Sequence, residues 1–406
     1  MIDSSRTWLL LRSLRRGSRT PPEEIRRRQA HLLRDAIAHA RERIPLYRRV
    51  WAGLDGVADL EHLPVITAAQ VREALATGEL PAEGARPLGV FHTSGSTGEP
   101  LGIPRGAVEQ RLWRATGLRA WFEHGYRWRH STVHFDSHPG PSHPLQGLGV
   151  SRTTWIAPGL EMAGQIDRLA AAEADVVAAT PTVLRRLCRA LAGAGRRVRR
   201  PHTVFSQGEV LDQGTADLVE RTLGTVPVDL YGLTEAGYVG WQCEQRGHLH
   251  VNAEACLVEV LRDGRPAAPG ELGSVVVTNL RGRTAPMIRF DTGDLARAVE
   301  GPCPCGRTLP LIGRLAGRAA EAMTAAGGAT VTTRTVLDDL APVAAPDEFQ
   351  LHAVPGGRFE LRLAPGVDHG EQVAARLAVV LGGAEVTLAP GHVPPAPGSV
   401  KTRTVV

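Results

Sequence analysis

From about residue 88 to residue 240, short apolar runs alternate with helix-length segments, and this alternation restricts the fold more than any other feature of the chain. Thr132-Val-His-Phe135, Asp175-Val-Val-Ala-Ala179, Thr203-Val-Phe205 and Pro227-Val-Asp-Leu230 read as strands, with a helix over 181–193. Strands separated by helices need crossover connections, so the pattern predicts an α/β fold around a largely parallel sheet. Residues 254–280 change period: Ala255–Val260 and Gly273–Thr278 read as an antiparallel hairpin joined through Asp263-Gly264. Upstream, Pro21-Pro22-Glu23-Glu24 opens a helix within 22–50, with Leu32, Leu33, Ile37, Ala40 and Ile44 at helical spacing, and Pro45 stops it.

After Arg318 the composition turns to Ala, Gly and Thr, which reads as a hinge. Beyond it, Phe349–Val354 and Arg358–Leu363 pair across Pro355-Gly-Gly357, 370–381 is helical and Ala384–Leu388 is a strand. The expected organisation is a large α/β domain over 1–318, with a helical segment at 1–75 and a β-rich subdomain at about 240–318. A small α+β domain over 319–406 follows.

His92-Thr-Ser-Gly-Ser-Thr-Gly-Glu-Pro-Leu101 follows the apolar Leu88-Gly-Val-Phe91. Glycines let backbone N–H groups approach a phosphate closely, and Thr93, Ser94, Ser96 and Thr97 add hydroxyl donors. No Gly-Lys-Ser/Thr follows, so this is not a Walker loop, and alone such a run also reads as a flexible turn. A second feature points the same way. Of 47 Lys plus Arg, one is lysine, Lys401, in Pro395-Ala-Pro-Gly-Ser-Val-Lys401-Thr. Arginine does not replace a compact, mobile ammonium aimed at one developing charge, so a lone lysine marks such chemistry, unless it is merely the remnant of a coding bias.

The bulk numbers exclude several classes. Hydrophobic content of 43% and charged content of 22% are those of a globular protein. The net charge is +5 with dispersed arginines, weak support for nucleic-acid binding. Arg196–Arg200 reads as a solvated face, and Arg12–Arg28 as a basic amphipathic stretch packed on the main domain rather than on a membrane. No apolar run reaches the length of a membrane span and the N-terminal one is too short for a secretory signal, so a cytoplasmic protein is expected. Five cysteines without an export signal argue against a disulfide framework.

Three ordered segments, Thr93-Ser-Gly-Ser-Thr-Gly-Glu-Pro100, Tyr231-Gly-Leu-Thr-Glu235 and Arg289-Phe-Asp-Thr-Gly-Asp294, make the chain resemble the acyl-adenylate-forming superfamily. Ile44-Pro-Leu-Tyr47-Arg, Ser206-Gln-Gly-Glu209 and Cys303-Pro-Cys-Gly-Arg307 bring it nearest to the phenylacetate-coenzyme A ligase branch. The resemblance implies that ATP activates a carboxylic acid to an acyl-adenylate with release of pyrophosphate, followed by transfer to a thiol such as coenzyme A. On this reading Thr93, Ser94, Gly95, Ser96, Thr97 and Gly98 hold the β and γ phosphates, Glu235 ligates Mg²⁺ and Thr234 touches the α-phosphate. Tyr231 stacks on adenine beside Gly232, Asp294 accepts from the ribose hydroxyls, and Gly208, Glu209 and Arg318 complete the nucleotide set. Lys401 matches the C-terminal lysine that neutralises the α-phosphate and acyl oxygens. Taken singly, Glu235 also reads as a helix N-terminal charge and Asp294 as a turn former.

Cys188 and Cys256 read as core residues. Cys303 and Cys305 flank a proline, and Cys243 precedes His248 and His250. Three thiolates and one imidazole make a closed tetrahedral zinc site. Resemblance to the zinc-bearing members of the branch gives Cys243, His250, Cys303 and Cys305 as the set; reduced thiols in a surface loop are the alternative. By the same resemblance the acyl pocket maps to His134, Phe135 and His138 with Ser206 and Gly208; histidines stand where aromatic-acid enzymes are apolar, and they read either as binding a polar group of a small or polar aromatic acid or as ordinary polar loop residues. The hinge departs from the usual Gly-Arg-Ser-Asp-Asp and reads Gly317-Arg-Ala-Ala-Glu321, with Ala320 at the aspartate position. That change weakens the expectation of thiol transfer relative to adenylation. Another oxyacid, an amine acceptor or a silent adenylate-binding scaffold are the competing readings. The expected partners are the acid, ATP and coenzyme A or another acceptor, with a homodimer as candidate assembly and neither nucleic acid nor membrane. So compact and divergent a member fits secondary-metabolite tailoring.

Overall fold

Val176–Ala179 is buried at every position, as a strand covered on both faces must be. It lies in the parallel order Thr203–Gln207, Val176–Ala179, Thr132–Phe135, Thr153–Ile156. The register aligns Val133, Val177 and Val204, which pack with Leu184, Leu187 and Val219 of the flanking helices Pro181–Gly193 and Gln213–Leu223. Burying each of these side chains contributes about 1.5–3 kcal/mol. The first helix starts at Pro181 with Thr180 Oγ1 accepting from Val183 N, and the second with Asp212 accepting from Thr215 N and ending at Gly224. Cys188 and Cys256 are buried, and burial pushes each thiol up to about 12.

The computed structural model describes residues 4–54, 59–93, 100–136, 140, 145–393 and 404–405. The chain forms two compact units, 1–123 with 230–314, and 124–229 with 315–406. One boundary falls at 314/315, close to the hinge read after Arg318, and residues 315–406 group with 124–229. The parallel strands above and the C-terminal residues share one unit because charged groups join them: Arg185 Nε donates to Asp347 Oδ1 at 2.9 Å, and Gln213 N to Asp338 Oδ1 at 2.8 Å. Within that unit the C-terminal residues keep a core of their own, including Leu337, Phe349, Leu361 and Leu377. There, Phe349–Val354 pairs antiparallel with Arg358–Leu363, which pairs in parallel with Val386–Ala389.

The other unit is mainly antiparallel, in the order Arg265–Pro266, Cys256–Arg262, Leu272–Asn279, Phe290–Ala298, Leu311–Arg318, His248–Val251, Gly237–Gln242, Val228–Leu233. Asp263-Gly264 turns the chain into the two-residue strand Arg265–Pro266, and only afterwards does Leu272–Asn279 pair with Cys256–Arg262. Helix Pro22–Arg43 ends before Ile44, but Pro45 opens a second short helix, Pro45–Val50, because the first helical position needs no N–H partner. Tyr47 on that helix is fully buried; its hydroxyl donates to Pro286 O at 2.8 Å and accepts from Ile288 N at 2.7 Å. The basic N-terminal stretch begins in helix Ser4–Gly17, whose Leu11 and Leu14 pack on Ala115 of helix Ala107–Glu123. Among the described residues no helix is long and apolar enough to cross a membrane.

Candidate functional site

Strands Gly89–His92 and Gly102–Arg105 pair antiparallel and carry the Ser/Thr/Gly run between them. A Cβ at Gly102 would lie 2.9 Å from Val90 Cγ1, so a larger residue there would have to push that exposed side chain aside. The neck of the run is closed by Thr93, whose N donates to Leu101 O at 2.9 Å and whose Oγ1 accepts from Leu101 N at 2.8 Å. Ser94, Gly95, Ser96, Thr97 and Gly98 lie outside the described residues, as do His138 and Lys401.

Within the same unit the motif Tyr231–Glu235 meets this neck, and Arg289–Asp294 meets Tyr231. Strand Val228–Leu233 bulges between Tyr231 and Gly232, which exposes Gly232 while Tyr231 stays buried. The Tyr231 hydroxyl donates to Asp294 Oδ2 at 2.7 Å. Thr234 Oγ1 donates to His92 O at 3.5 Å, at the edge of hydrogen-bonding range.

Sequence reasoning missed Arg105, whose signal was a lone cation between Pro104 and Gly106 directly after the glycine-rich run. It is buried; Nη2 donates to Thr234 O at 2.8 Å and Nη1 to Gln110 Oε1 at 3.0 Å. Its guanidinium carbon sits 3.5 Å from the Trp113 ring centroid and 4.2 Å from that of Phe91. Burial pushes Arg105 down to about 10, against the charges of Glu109 and Glu235, and it remains cationic at neutral pH. Arg105, Glu109, Trp113 and Glu235 line a small cavity of about 30 Å³. That volume admits water and not substrate.

Ser206, Gly208, Glu209, His134, Phe135 and Arg318 belong to the other unit. Ser206 is fully buried, and its Oγ has no hydrogen-bond partner among the described residues. Gly208 turns with φ 85, a conformation L side chains rarely adopt. Glu209 is engaged by helix Pro181–Gly193: Oε2 accepts from Thr182 N at 3.0 Å and Oε1 from Thr182 Oγ1 at 2.9 Å. Phe135 joins the helix-side core beside Val133, while His134 alternates to the opposite face. His134 stacks on Trp155, centroids 4.5 Å apart, and burial pushes its ring down to about 4. Arg318 follows Gly317, where φ is 127 and a Cβ would lie 2.7 Å from Thr333 Oγ1. Ala320 lies in the turn Ala319–Glu321, and Glu321 Oε2 accepts from Thr333 Oγ1 at 2.9 Å.

The thiols and imidazoles converge. Cys243, His248, His250 and Cys303 offer donor atoms within 4.8 Å of one another, which adds His248 to the expected set. Residues two apart on a strand share a face, and so strand His248–Val251 presents both histidines together. Cys305 Sγ stands 3.3 Å from His250 Nε2, and Cys243 Sγ 3.6 Å from Cys303 Sγ. Zinc–sulfur bonds of about 2.3 Å at tetrahedral angles set sulfur atoms about 3.8 Å apart, so the thiol pair fits. His250 is fully buried, and its Nδ1 has no partner among the described residues. Burial and the neighbouring His248 and Arg307 push this ring down to about 3, leaving a neutral imidazole of the kind a metal takes. Burial raises the Cys305 thiol, but hydrogen bonds and charge from Arg307 bring it below its ordinary value.

Residues 54–280, more than half of the chain, match the family of AMP-binding enzymes. The sequence is 26% identical over 323 residues to the phenylacetate-coenzyme A ligase of Thermus thermophilus, across 73% of this chain and 71% of that protein. It is 26% identical over 326 residues to the phenylacetate-coenzyme A ligase of Escherichia coli, with the same coverage of 73% and 71%. In fold it is similar to 2-hydroxyisobutyryl-CoA ligase in a postadenylation state, with a TM-score of 0.77, 21% identity and coverage of 96% of this chain and 91% of that one.

Proposed function

The chain belongs to the AMP-binding enzyme family and is an acyl-adenylate-forming ligase, and on that premise we propose that it couples a small or aromatic carboxylic acid to coenzyme A. A carboxylate oxygen attacks the α-phosphorus of ATP, and the bond from that phosphorus to the bridging oxygen breaks, releasing pyrophosphate. The coenzyme A sulfur then attacks the acyl carbon; its proton is lost and AMP leaves. Both steps bring charged groups together, so positioning and charge neutralisation do most of the work.

The observation that carries this reading is the meeting of three distant motifs, Thr234 with His92 at the loop neck and Tyr231 with Asp294. Asp294 accepts from the ribose, Tyr231 stacks against adenine with Gly232 beside it, and Thr93 and the run after it hold phosphate. Arg105 is a positioning residue that fixes the Thr234 carbonyl and with it the turn carrying Glu235. Glu235 offers the oxygen ligand that Mg²⁺ prefers. The His134–Trp155 pair gives a flat wall suited to a planar acid. Lys401 neutralises charge in adenylation, and Arg318 contacts the nucleotide.

Four ligands drawn from Cys243, His248, His250, Cys303 and Cys305 hold one zinc ion. With every position filled by protein, that ion ties strands together and takes no part in the reaction.

The test is acid-dependent ATP–pyrophosphate exchange over aryl, alkyl and amino acids, followed by thioester detection after adding coenzyme A. Exchange with one acid that is lost in Lys401→Ala, with thioester formed, supports the reading. Exchange without thioester removes coenzyme A as acceptor, and no exchange despite ATP binding removes the adenylation step.

A further inference from the structure

Away from this machinery, Trp8, Arg12, Arg15 and Arg16 on helix Ser4–Gly17 and Arg19 just after it line an open cavity of about 520 Å³ together with Glu123. Positions 8, 12, 15, 16 and 19 recur at helical spacing, so they share one side of the helix. The adjoining side is anchored by Leu11 and Leu14 packed on Ala115, with Leu118 and Phe122 beside them, and the Arg15 guanidinium carbon lies 5.3 Å from the Phe122 ring centroid. The arginines therefore face the cavity from a firmly seated helix.

The wall carries four arginines and one acid, Glu123. Among the described residues, Arg12, Arg15, Arg16 and Arg19 form no ion pair, and all four are exposed. Glu123 is already committed to Arg307, which donates to Glu123 Oε2 from Nε at 3.0 Å and from Nη2 at 2.9 Å, and to Ser18, 3.4 Å away. Arg12 and Arg16 are like charges at i and i+4, an arrangement that destabilises a helix unless an anion intervenes. Trp8 is 42% exposed and stands at the cavity with its ring 6.0 Å from Phe122. Planar guanidinium forks match phosphate oxygens two at a time, and the volume lies in the range of small-molecule sites.

We propose that this cavity binds a phosphate-bearing small ligand, its terminal phosphate or oligophosphate held by Arg12, Arg16 and Arg19 and its body lying against Trp8. The phosphate comes either from a soluble phosphorylated molecule or from a phosphomonoester lipid headgroup. A flat lipid surface would not need a concave wall, and the concavity favours the soluble source.

The experiment titrates the full chain with inorganic tripolyphosphate by calorimetry, and separately sediments it with phosphatidic acid vesicles. Wild type, Arg12→Gln/Arg16→Gln and Arg12→Lys/Arg16→Lys are compared, with circular dichroism melting of each. Because the leucine side of the helix is untouched, both variants are expected to melt like wild type. Tripolyphosphate binding at a site lost at least tenfold in the glutamine variant and partly kept in the lysine variant supports the soluble source. Arginine-dependent sedimentation with vesicles alone supports the same phosphate site with the lipid as its source. Wild type that binds neither probe, or binding equal in wild type and the glutamine variant, overturns the proposal. A glutamine variant that melts early is replaced by Arg19→Gln, which lies beyond the helix, under the same criteria.

Discussion

Tyr231 and Asp294, 63 residues apart in sequence, are joined by a 2.7 Å hydrogen bond from the phenol to Asp294 Oδ2. Both are buried, and the phenol orients the carboxylate that the proposed function gives to the ribose. Tyr231→Phe keeps the ring and removes the donor. A hydrogen bond to a charged acceptor contributes about 1.5–3 kcal/mol, so KM for ATP in pyrophosphate exchange should rise roughly tenfold, with kcat much less affected. An unchanged KM would show that Asp294 is oriented by other groups.

Arg105 is clamped between two rings while its fork reaches Thr234 O and Gln110. Lysine keeps the charge but cannot donate to both acceptors from the same plane. Arg105→Lys should destabilise the protein by about 1–3 kcal/mol through the poorly satisfied carbonyl. It should also slow exchange well beyond what the lost stability explains, measured below the melting temperature. Activity equal to wild type would separate Arg105 from the Thr234–Glu235 turn.

Gln350 Nε2 donates to Val393 O at 2.8 Å and its Oε1 accepts from Val393 N at 2.9 Å, while the adjacent Leu351 N donates to Thr404 O at 2.8 Å. Two neighbouring residues of one strand thus hold both ends of the segment that contains Lys401. Gln350→Leu should lower kcat for adenylation several-fold with KM for ATP unchanged, the signature of a contact made in the transition state. Equal losses in kcat and ATP affinity would point instead to general disruption.

Metal analysis of protein purified without chelator should find about one zinc per chain, with the melting temperature falling on strong chelation. His248→Ala and Cys305→Ala, compared for residual zinc, decide which supplies the fourth ligand. Protein free of zinc that melts identically with and without chelator would leave the cluster as reduced thiols.

His134 has its pKa lowered from 6.5 to about 4 by burial, so the unfolded chain takes up a proton there before the folded chain does. Its contribution to stability is full above about pH 6.5 and is lost as pH falls toward about 4. His134→Gln should therefore flatten the acid limb of stability in that window when urea midpoints are compared across pH. Parallel curves for the two proteins would place the acid sensitivity elsewhere.

Much of this protein is legible in its residues taken in order. The strand Val176–Ala179 announces itself because a strand covered on both faces is a continuous apolar run, and Thr132–Phe135 and Thr203–Gln207 by their β-branched and aromatic residues. The edge strand Thr153–Ile156 does not, since Thr153, Thr154 and Trp155 are only partly buried and no continuous apolar run forms. The ordered segments at 92–101, Tyr231–Glu235 and Arg289–Asp294 make the family resemblance legible in the sequence, and the family match over residues 54–280 bears it out.

What tertiary structure alone decided are relations over long separations. That Arg105 holds the Thr234 carbonyl, that Tyr231 reaches Asp294, that His248 joins the thiols and that Phe135 belongs to the core rather than to a pocket follow from register and packing. So does the assignment of residues 315–406 to the unit that also contains 124–229. Local propensity and motif spacing act over a few residues, whereas a buried guanidinium or an imidazole finds its partner only when distant segments exclude water together. The chemistry was therefore written into the order of residues, and the groups that aim it were selected by the fold.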